Sequence, residues 1–342
     1  MHSSWSSAQV RAAEEPLLAA GVPLMERASF ALAGEVRREL LRRRGTVRGA
    51  AVTVLAGPGS NGGDALHAGA LLVRAGVQVV AVATADRVHE GGLTALHRAG
   101  GRALRLGPDA GGLGGVGLPE AAELASRADV LLDGLLGIGA TGAGVRGAAG
   151  ELVAVLAERW PPGTPEDGRP CVVAVDVPSG VGVDDGTRAG PVLAADLTVT
   201  FGGLKPALLV PPAARAAGRV EVVDLGLDLA GRAAVVRLED EDVAALWPVP
   251  GPEAHKYTRG VLGVVAGTRR YPGAAVLAST AAVLAGLGMV RYVGDVGPEV
   301  VAARPEVVVG EGRVQAWVLG PGVDPDDAGQ RRRVDAALVG VR

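Results

Sequence analysis

The chain has 342 residues, 48% hydrophobic and 21% charged, with a formal net charge of −3. That is long enough for two domains at about 100–200 residues each, apolar enough to bury cores, and free of the basic runs a nucleic-acid backbone would require. The single cysteine, Cys171, excludes an intrachain disulfide framework and fits a reducing compartment, while the lack of ~18 uninterrupted apolar residues and the polar start carry an expectation of a cytoplasmic chain with no transmembrane helix, membrane partner or signal peptide.

Residues 7–43 predict helix, broken at 21–23 by Gly21-Val22-Pro23. Short apolar runs then alternate with Ala-rich segments, the pattern of an α/β fold with a mostly parallel sheet. Strands are expected at 51–56, 77–82, 130–133, 172–176, 197–201 and 220–223, and helices at 63–74, 118–126 and 147–158. The glycine-rich stretch 107–117 reads as a loop. A second pattern starts near residue 231. It comprises an acidic helix at 238–247, a proline-punctuated linker at 248–252, a strand at 261–266 and a helix at 274–287. Strands near 307 and at 316–319 follow, and then a last helix at 325–338 with Asp324 as its cap and Pro325 in its first turn. The domains so drawn are 1–230, a linker 231–254, and 255–342.

The strongest local signal is Gly57-Pro58-Gly59-Ser60-Asn61-Gly62-Gly63-Asp64, between an expected strand and an expected helix. Four glycines there let backbone N–H groups converge on an anion at a helix N-terminus. Read literally, Gly57-x-Gly59-x-x-Gly62 also matches a dinucleotide fingerprint, with Asp86 near the spacing of a ribose-binding acid. An ordinary NAD-dependent oxidoreductase therefore stays open at this point, as does a non-catalytic or incomplete gene product. Asp133 and Asp176 close two further strands, and ligands of open parallel sheets bind outside such strand ends. The Asn61 amide, Asp133 carboxylate and Ser179 hydroxyl form an oxygen-only donor set, which suits an alkali or alkaline-earth cation rather than zinc. Only two of the 34 basic residues are lysine, Lys205 and Lys256, which suggests that a compact ammonium is needed at one or both. The five histidines show no metal spacing, and there is no P-loop, nucleophile elbow or zinc motif.

Five motifs in order, GPGSNGGD (57–64), ADVLLDGLLGIGATG (128–142), VVAVDVPSG (172–180), ADLTVTFGGLKP (195–206) and GRVEVVDLGL (218–227), resemble the epimerase half of the bifunctional NAD(P)H-hydrate repair enzymes. The opening helices, with Ala8-Gln9-Val10-Arg11 and Leu24-Met25-Glu26-Arg27-Ala28, are similar to that family's start. His255-Lys256, VLGVVAGTRRYPGAA (261–275), Arg304-Pro305-Glu306 and Leu319-Gly320-Pro321-Gly322 resemble the start of the ADP-dependent dehydratase half.

The resemblance implies a Rossmann-like three-layer sandwich, followed by the incomplete start of a ribokinase-like α/β domain too short to act alone. It implies a potassium ion held by Asn61, Asp133 and Ser179. The small-molecule substrate, hydrated NADH or NADPH, would be bound by Ser60, Asn61, Gly62, Gly63 and Asp64, by Gly137, Ile138, Gly139, Ala140, Thr141, Gly142 and Ala143, and by Asp176. Asp176 is the candidate proton carrier, with Lys205 as a second catalytic candidate. In the dehydratase segment the implied contacts are Ala274 and Gly322, with ADP and magnesium serving a complete domain. A homo-oligomer is the expected assembly. Two departures stand out: Ser60 where the family has a second asparagine, and Ala65 where it has glycine.

Overall fold

The computed structural model describes residues 1–140, 144–229 and 231–339. It divides into two compact units, Met1–Val243 and Ala244–Arg342. The first opens with β1 (His2–Ser4), α1 (Ser7–Ala19) and α2 (Leu24–Arg44). Then come β2 (Ala51–Ala56), α3 (Ser60–Arg74), β3 (Gln78–Ala83), α4 (Glu90–Ala99), β4 (Arg102–Leu106), β5 (Gly114–Val116) and α5 (Leu118–Ser126). The unit continues through β6 (Val130–Gly134), α6 (Gly147–Arg159), β7 (Cys171–Val175), β8 (Leu197–Phe201), β9 (Arg219–Val223) and β10 (Val235–Arg237).

Eight of these strands form one sheet in the order β5-β4-β3-β2-β6-β7-β8-β9, and every pairing in it is parallel. The central strands β6, β7 and β8 are buried throughout, which explains why they read as unbroken apolar runs rather than alternating ones. Period two still sorts their side chains. Val130 and Leu132 of β6, with Val173 and Val175 of β7, pack on one face with residues of α2 and α3. Leu131, Val172 and Ala174 pack on the other with residues of α5 and α6. Helix, sheet and helix thus make the three layers expected. From β2 the chain runs outward through β3, β4 and β5, and β6 returns to the opposite side of β2. The strand order therefore reverses between β2 and β6, and a crevice opens there at the strands' carboxyl ends.

Five elements of this unit, β1, α4, β4, β5 and β10, depart from the sequence reading. Helix α4 and strand β4 went unread because Gly91 and Gly92 weaken the helical pattern; His89 caps α4 by accepting from the Gly92 N–H at 3.0 Å, and α4 packs on α3. Part of the stretch expected as loop, Gly114–Val116, adds to the sheet edge as β5, with Leu104 opposite Gly114. Residues 235–237, expected in the linker, form β10, which pairs antiparallel with β1, His2 opposite Arg237.

The N-terminal segment is fastened to the site side of the sheet. The Trp5 N–H donates to the Leu204 carbonyl at 2.9 Å. Ser6 and Gln9 form a reciprocal capping box at the start of α1. The Ser7 N–H and hydroxyl both donate to the Asp184 carboxylate, at 2.6 and 2.7 Å.

The second unit has its own small parallel sheet. After α7 (Asp240–Leu246), which ends inside it, come β11 (Val261–Val265), α8 (Pro272–Leu284), β12 (Met289–Tyr292), α9 (Gly297–Ala303), β13 (Val308–Val309), β14 (Ala316–Leu319) and α10 (Ala328–Val339). The strand order is β13-β12-β11-β14. The last helix starts three residues later than expected. Asp324 instead turns the chain locally by accepting from the Asp326 N–H. Asp327 takes the cap, accepting from Gly329 and Gln330.

Asp184→Ala removes both charge-assisted hydrogen bonds to Ser7. The expected result is a loss of about 1.5–3 kcal/mol in urea unfolding, with faster amide exchange concentrated in residues 7–19.

Candidate active site

The glycine loop lies where β2 ends and α3 begins, and the helix starts at Ser60, three residues earlier than the sequence suggested. A helix leaves its first N–H groups without intrahelical acceptors, and no side chain caps those of α3. The loop fits only as glycine. A Cβ on Gly57 would sit 1.9 Å from the Leu135 carbonyl oxygen, and one on Gly62 would sit 2.2 Å from the Gly57 carbonyl oxygen. The Gly57 N–H in turn donates to the Gly134 carbonyl at 3.1 Å. This close approach binds the loop after β2 to the loop after β6. Ala65, the departure from the family pattern, is fully buried within α3 against Gly134, so its methyl group fills space at no backbone cost.

Asp133 and Ser179 meet at the carboxyl ends of β6 and β7, both 1% exposed. The Ser179 hydroxyl donates to Asp133 Oδ1 at 2.6 Å, and the Ser179 N–H to Oδ2 at 2.9 Å. Leu136 N–H donates to Ser179 Oγ at 2.9 Å. The Asn61 amide nitrogen donates to the Leu136 carbonyl at 3.0 Å, which turns Asn61 Oδ1 toward Gly137. The three expected cation ligands are therefore linked through the Leu136 backbone, Asn61 by its amide nitrogen. Complete burial pushes the Asp133 carboxyl upward, against the pull of its Ser179 and Leu135 hydrogen bonds.

Asp176 stands beyond the end of β7 with φ +68°, the one left-handed non-glycine residue among those described. Aspartate tolerates this region better than most residues, and such strain persists only where surroundings fix it. Lys205, 1% exposed, supplies the fixing. Its ammonium donates to Asp176 Oδ1 at 2.5 Å, to Thr200 Oγ1 at 2.9 Å and to the Phe201 carbonyl at 2.7 Å. The Thr200 hydroxyl also donates to Asp176 Oδ1, at 3.1 Å. Oδ2 is left on the cavity side, 3.4 Å from the Ile138 N–H. The other lysine, Lys256, is exposed beside the Tyr257 ring, so only one of the two has a buried role.

These groups line a cavity of about 350 Å³. Ser60, Asn61, Asp64, Gly137, Ile138, Gly139, Ala140, Asp176 and Lys205 border it. Gly62 and Gly63 lie behind it in the buried face of α3, and Asp133 and Ser179 do not line it but lie behind Leu136, which does. Thr141, Gly142 and Ala143 fall outside the described residues. Asp86 does not reach the cavity; it is largely exposed and pairs with Arg105, so the ribose contact of an ordinary dehydrogenase is not formed.

Sequence reasoning missed Arg11 and Glu14, which α1 brings to the cavity wall, and Phe201. The only signal for the first two was a charged pair three apart on an Ala/Leu helix, which equally describes a solvated face. Burial raises the Glu14 carboxyl, opposed by the Lys205 charge. Asp64 is raised further, to about 8, by burial and then by Asp176 and Glu14.

In the second unit, Ala274 and Gly322 come together: a Cβ on Gly322, at φ +67°, would meet the Ala274 Cβ at 2.6 Å. Gly322 borders a separate cavity of about 620 Å³ with Thr268–Tyr271, Asp295 and Gln330.

Fold and site together define an α/β domain with a cavity at a sheet switch point, bordered by a buried aspartate–lysine pair. Residues 21–207 match the family model described as YjeF-related protein N-terminus, and residues 262–339 match one described as NAD(P)H-hydrate dehydratase. The chain is 45% identical over 338 residues to a bifunctional NAD(P)H-hydrate repair enzyme of Mycobacterium tuberculosis, covering 96% of this chain and 64% of that protein. It is 43% identical over 335 residues to the Mycobacterium leprae protein of the same description, covering 95% and 64%. It is 44% identical over 235 residues to an NAD(P)H-hydrate epimerase of Clavibacter sepedonicus, covering 68% of this chain and 94% of that protein. The chain belongs to the YjeF-related N-terminal family that these relatives share. It spans a little under two thirds of the length of the mycobacterial relatives.

Lys205→Met leaves the Asp176 carboxylate buried without its cation, and about 3–5 kcal/mol is expected to be lost in urea unfolding at neutral pH. Adding Asp176→Asn to Lys205→Met is expected to recover part of that loss, because the uncompensated charge goes with it.

Proposed function

We propose that the first unit interconverts the R and S forms of NADH or NADPH hydrated at C6 of the nicotinamide ring. The observation that carries this reading is Asp176, held at positive φ by Lys205 and Thr200, with one carboxylate oxygen on the cavity side and Asn61 and the start of α3 on the same cavity. The family names of the relatives support the same substrate.

The chemistry asks for few parts. C6 carries both a ring nitrogen and a hydroxyl, so loss of the hydroxyl as water leaves an iminium stabilised by that nitrogen. Water then adds to either face, and the epimers exchange. Ring opening and reclosure at the same carbon is the other route to the same exchange. Either route needs a group that accepts a proton in one direction and returns it in the other, and Asp176 Oδ2 serves. Lys205 orients that carboxylate and offsets its charge. The unbonded N–H groups at the start of α3 suit the dinucleotide's phosphates. The loop at 137–140 and Phe201 wall the ring from solvent.

A fully buried Asp133 whose hydrogen-bond partners are all neutral fits a monovalent cation. So does the surrounding donor set of one carboxylate and neutral oxygens. Asn61, Asp133 and Ser179 would hold potassium, which when bound supplies a fixed positive charge under the substrate. Among the described residues no group of three or more His, Cys, Asp or Glu side chains converges. ADP and magnesium enter no step here. Its proposed share is substrate contact through Ala274 and Gly322.

The protein is expected to accelerate exchange between separated R and S hydrates, followed by chromatography, and to do so faster with potassium than with a large organic cation. Asp176→Asn is expected to lower kcat about 10²–10⁴-fold. Exchange no faster than the spontaneous rate contradicts the proposal.

A further inference from the structure

Asp64 is a cavity carboxyl that neither Lys205 nor another donor among the described residues reaches within hydrogen-bond distance. It lies near the start of α3, just past the first turn, and faces the same cavity as Asp176 and Lys205. Its Oδ1 is buried without a hydrogen-bond partner, and so is the Ser29 hydroxyl beside it on α2. A buried charged oxygen lacking a donor is costly, whereas a carboxylic acid facing a ligand is not. Lys205 cannot serve it, because all three ammonium hydrogens go to Asp176, Thr200 and Phe201. The donors around Asp176 Oδ1 mark that group as an acceptor. One cavity therefore holds a carboxyl with donors on it and a carboxyl with a buried oxygen that lacks one, and carboxyls in such unlike surroundings are suited to divided acid and base roles.

We infer that Asp64 is a second catalytic residue of this cavity, the acid that protonates the C6 hydroxyl while Asp176 takes the proton of the entering water. This rests on the epimerase reading above. In one passage the Asp64 proton moves to the C6 oxygen, and the C6–O bond breaks with its electron pair leaving on water. The ring nitrogen's lone pair closes the C=N bond. Water entering at C6 forms the new C–O bond, that pair returns to nitrogen, and the surplus proton passes to Asp176. One water leaves and one enters, nothing is oxidised or reduced, and exchange with cavity water returns the proton to Asp64. The reverse passage uses the two carboxyls in exchanged roles, so the active form carries one proton on the pair.

The groups facing Asp64 explain why it keeps that proton. Burial and the charges of Asp176 and Glu14 raise it to about 8, while the Ser29 hydroxyl works the other way. Lys205 and Arg11 border the same cavity. A raised pKa means the acid is loaded below that value and empties as pH rises through it.

The unaltered protein is expected to show kcat/KM falling above about pH 8 in both directions of exchange. Asp64→Asn, nearly isosteric, is expected to lose about 100-fold in kcat with KM changed less than about threefold, and to lose the protonated-carboxyl band in the infrared spectrum. A profile flat to about pH 9.5 in the unaltered protein overturns the role of Asp64, with no variant required. So does an Asp64→Asn protein with kcat within about threefold of the unaltered one. No acceleration by the unaltered protein overturns the epimerase reading itself, and the role of Asp64 with it.

Discussion

An ammonium group enclosed by protein must find an acceptor for each of its three hydrogens, and the site is organised around how Lys205 meets that demand. Its acceptors are the Asp176 carboxylate, the Thr200 hydroxyl and the Phe201 carbonyl, which ties the end of β8 to the residue after β7. Taking both charges out of water is unfavourable, and their attraction offsets it only when geometry is good and other hydrogen bonds complete the shell. Both conditions are met here. The result holds Asp176 in a left-handed conformation that would otherwise relax. Arginine, with a planar fork of five donors, could not satisfy three acceptors around a single nitrogen. A chain that uses arginine at 32 of its 34 basic positions therefore keeps lysine here.

The second constraint is close approach of backbone. Gly57, Gly62 and Gly137 let the loops after β2 and β6 touch at distances that exclude any Cβ. That contact brings Asn61 over the Asp133–Ser179 pair and sets the start of α3 against the cavity. The unbonded N–H groups at the start of α3, Asn61 and the aspartate–lysine pair then lie around one crevice, although they come from segments more than a hundred residues apart. The fastening of α1 through Ser7 and Asp184 adds Arg11 and Glu14 as one wall.

Most of this was legible in the sequence because it is carried by short-range pattern. The unbroken apolar runs at 130–133, 172–176 and 197–201 mark strands buried on both faces, and the acids at their ends mark the crevice. Helix α4 was hidden because Gly91 and Gly92 suppress its propensity, and its stability comes from packing on α3. Strand β10 was hidden because three residues gain meaning only by pairing with a partner more than two hundred residues away. Arg11 and Glu14 look like any charged pair on a surface helix until the N-terminal segment is seen fastened over the cavity. Asp86 misled for the opposite reason: its spacing suited a ribose contact, but nothing local reveals that Arg105 claims it. The glycine loop alone could not separate an oxidoreductase from an epimerase; the five ordered motifs, with the oxygen-donor set and the Asp176-Val177-Pro178-Ser179-Gly180 turn, are what favour the epimerase resemblance.

Soaking crystals of the protein with hydrated NADH and locating the nicotinamide ring addresses the assignment most directly. The ring is expected in the cavity beside Asn61 and Ile138, with C6 and its hydroxyl within hydrogen-bond reach of Asp176 and a phosphate at the start of α3. A dinucleotide bound with its ribose at Asp86 and its nicotinamide ring away from Asp176 would contradict it.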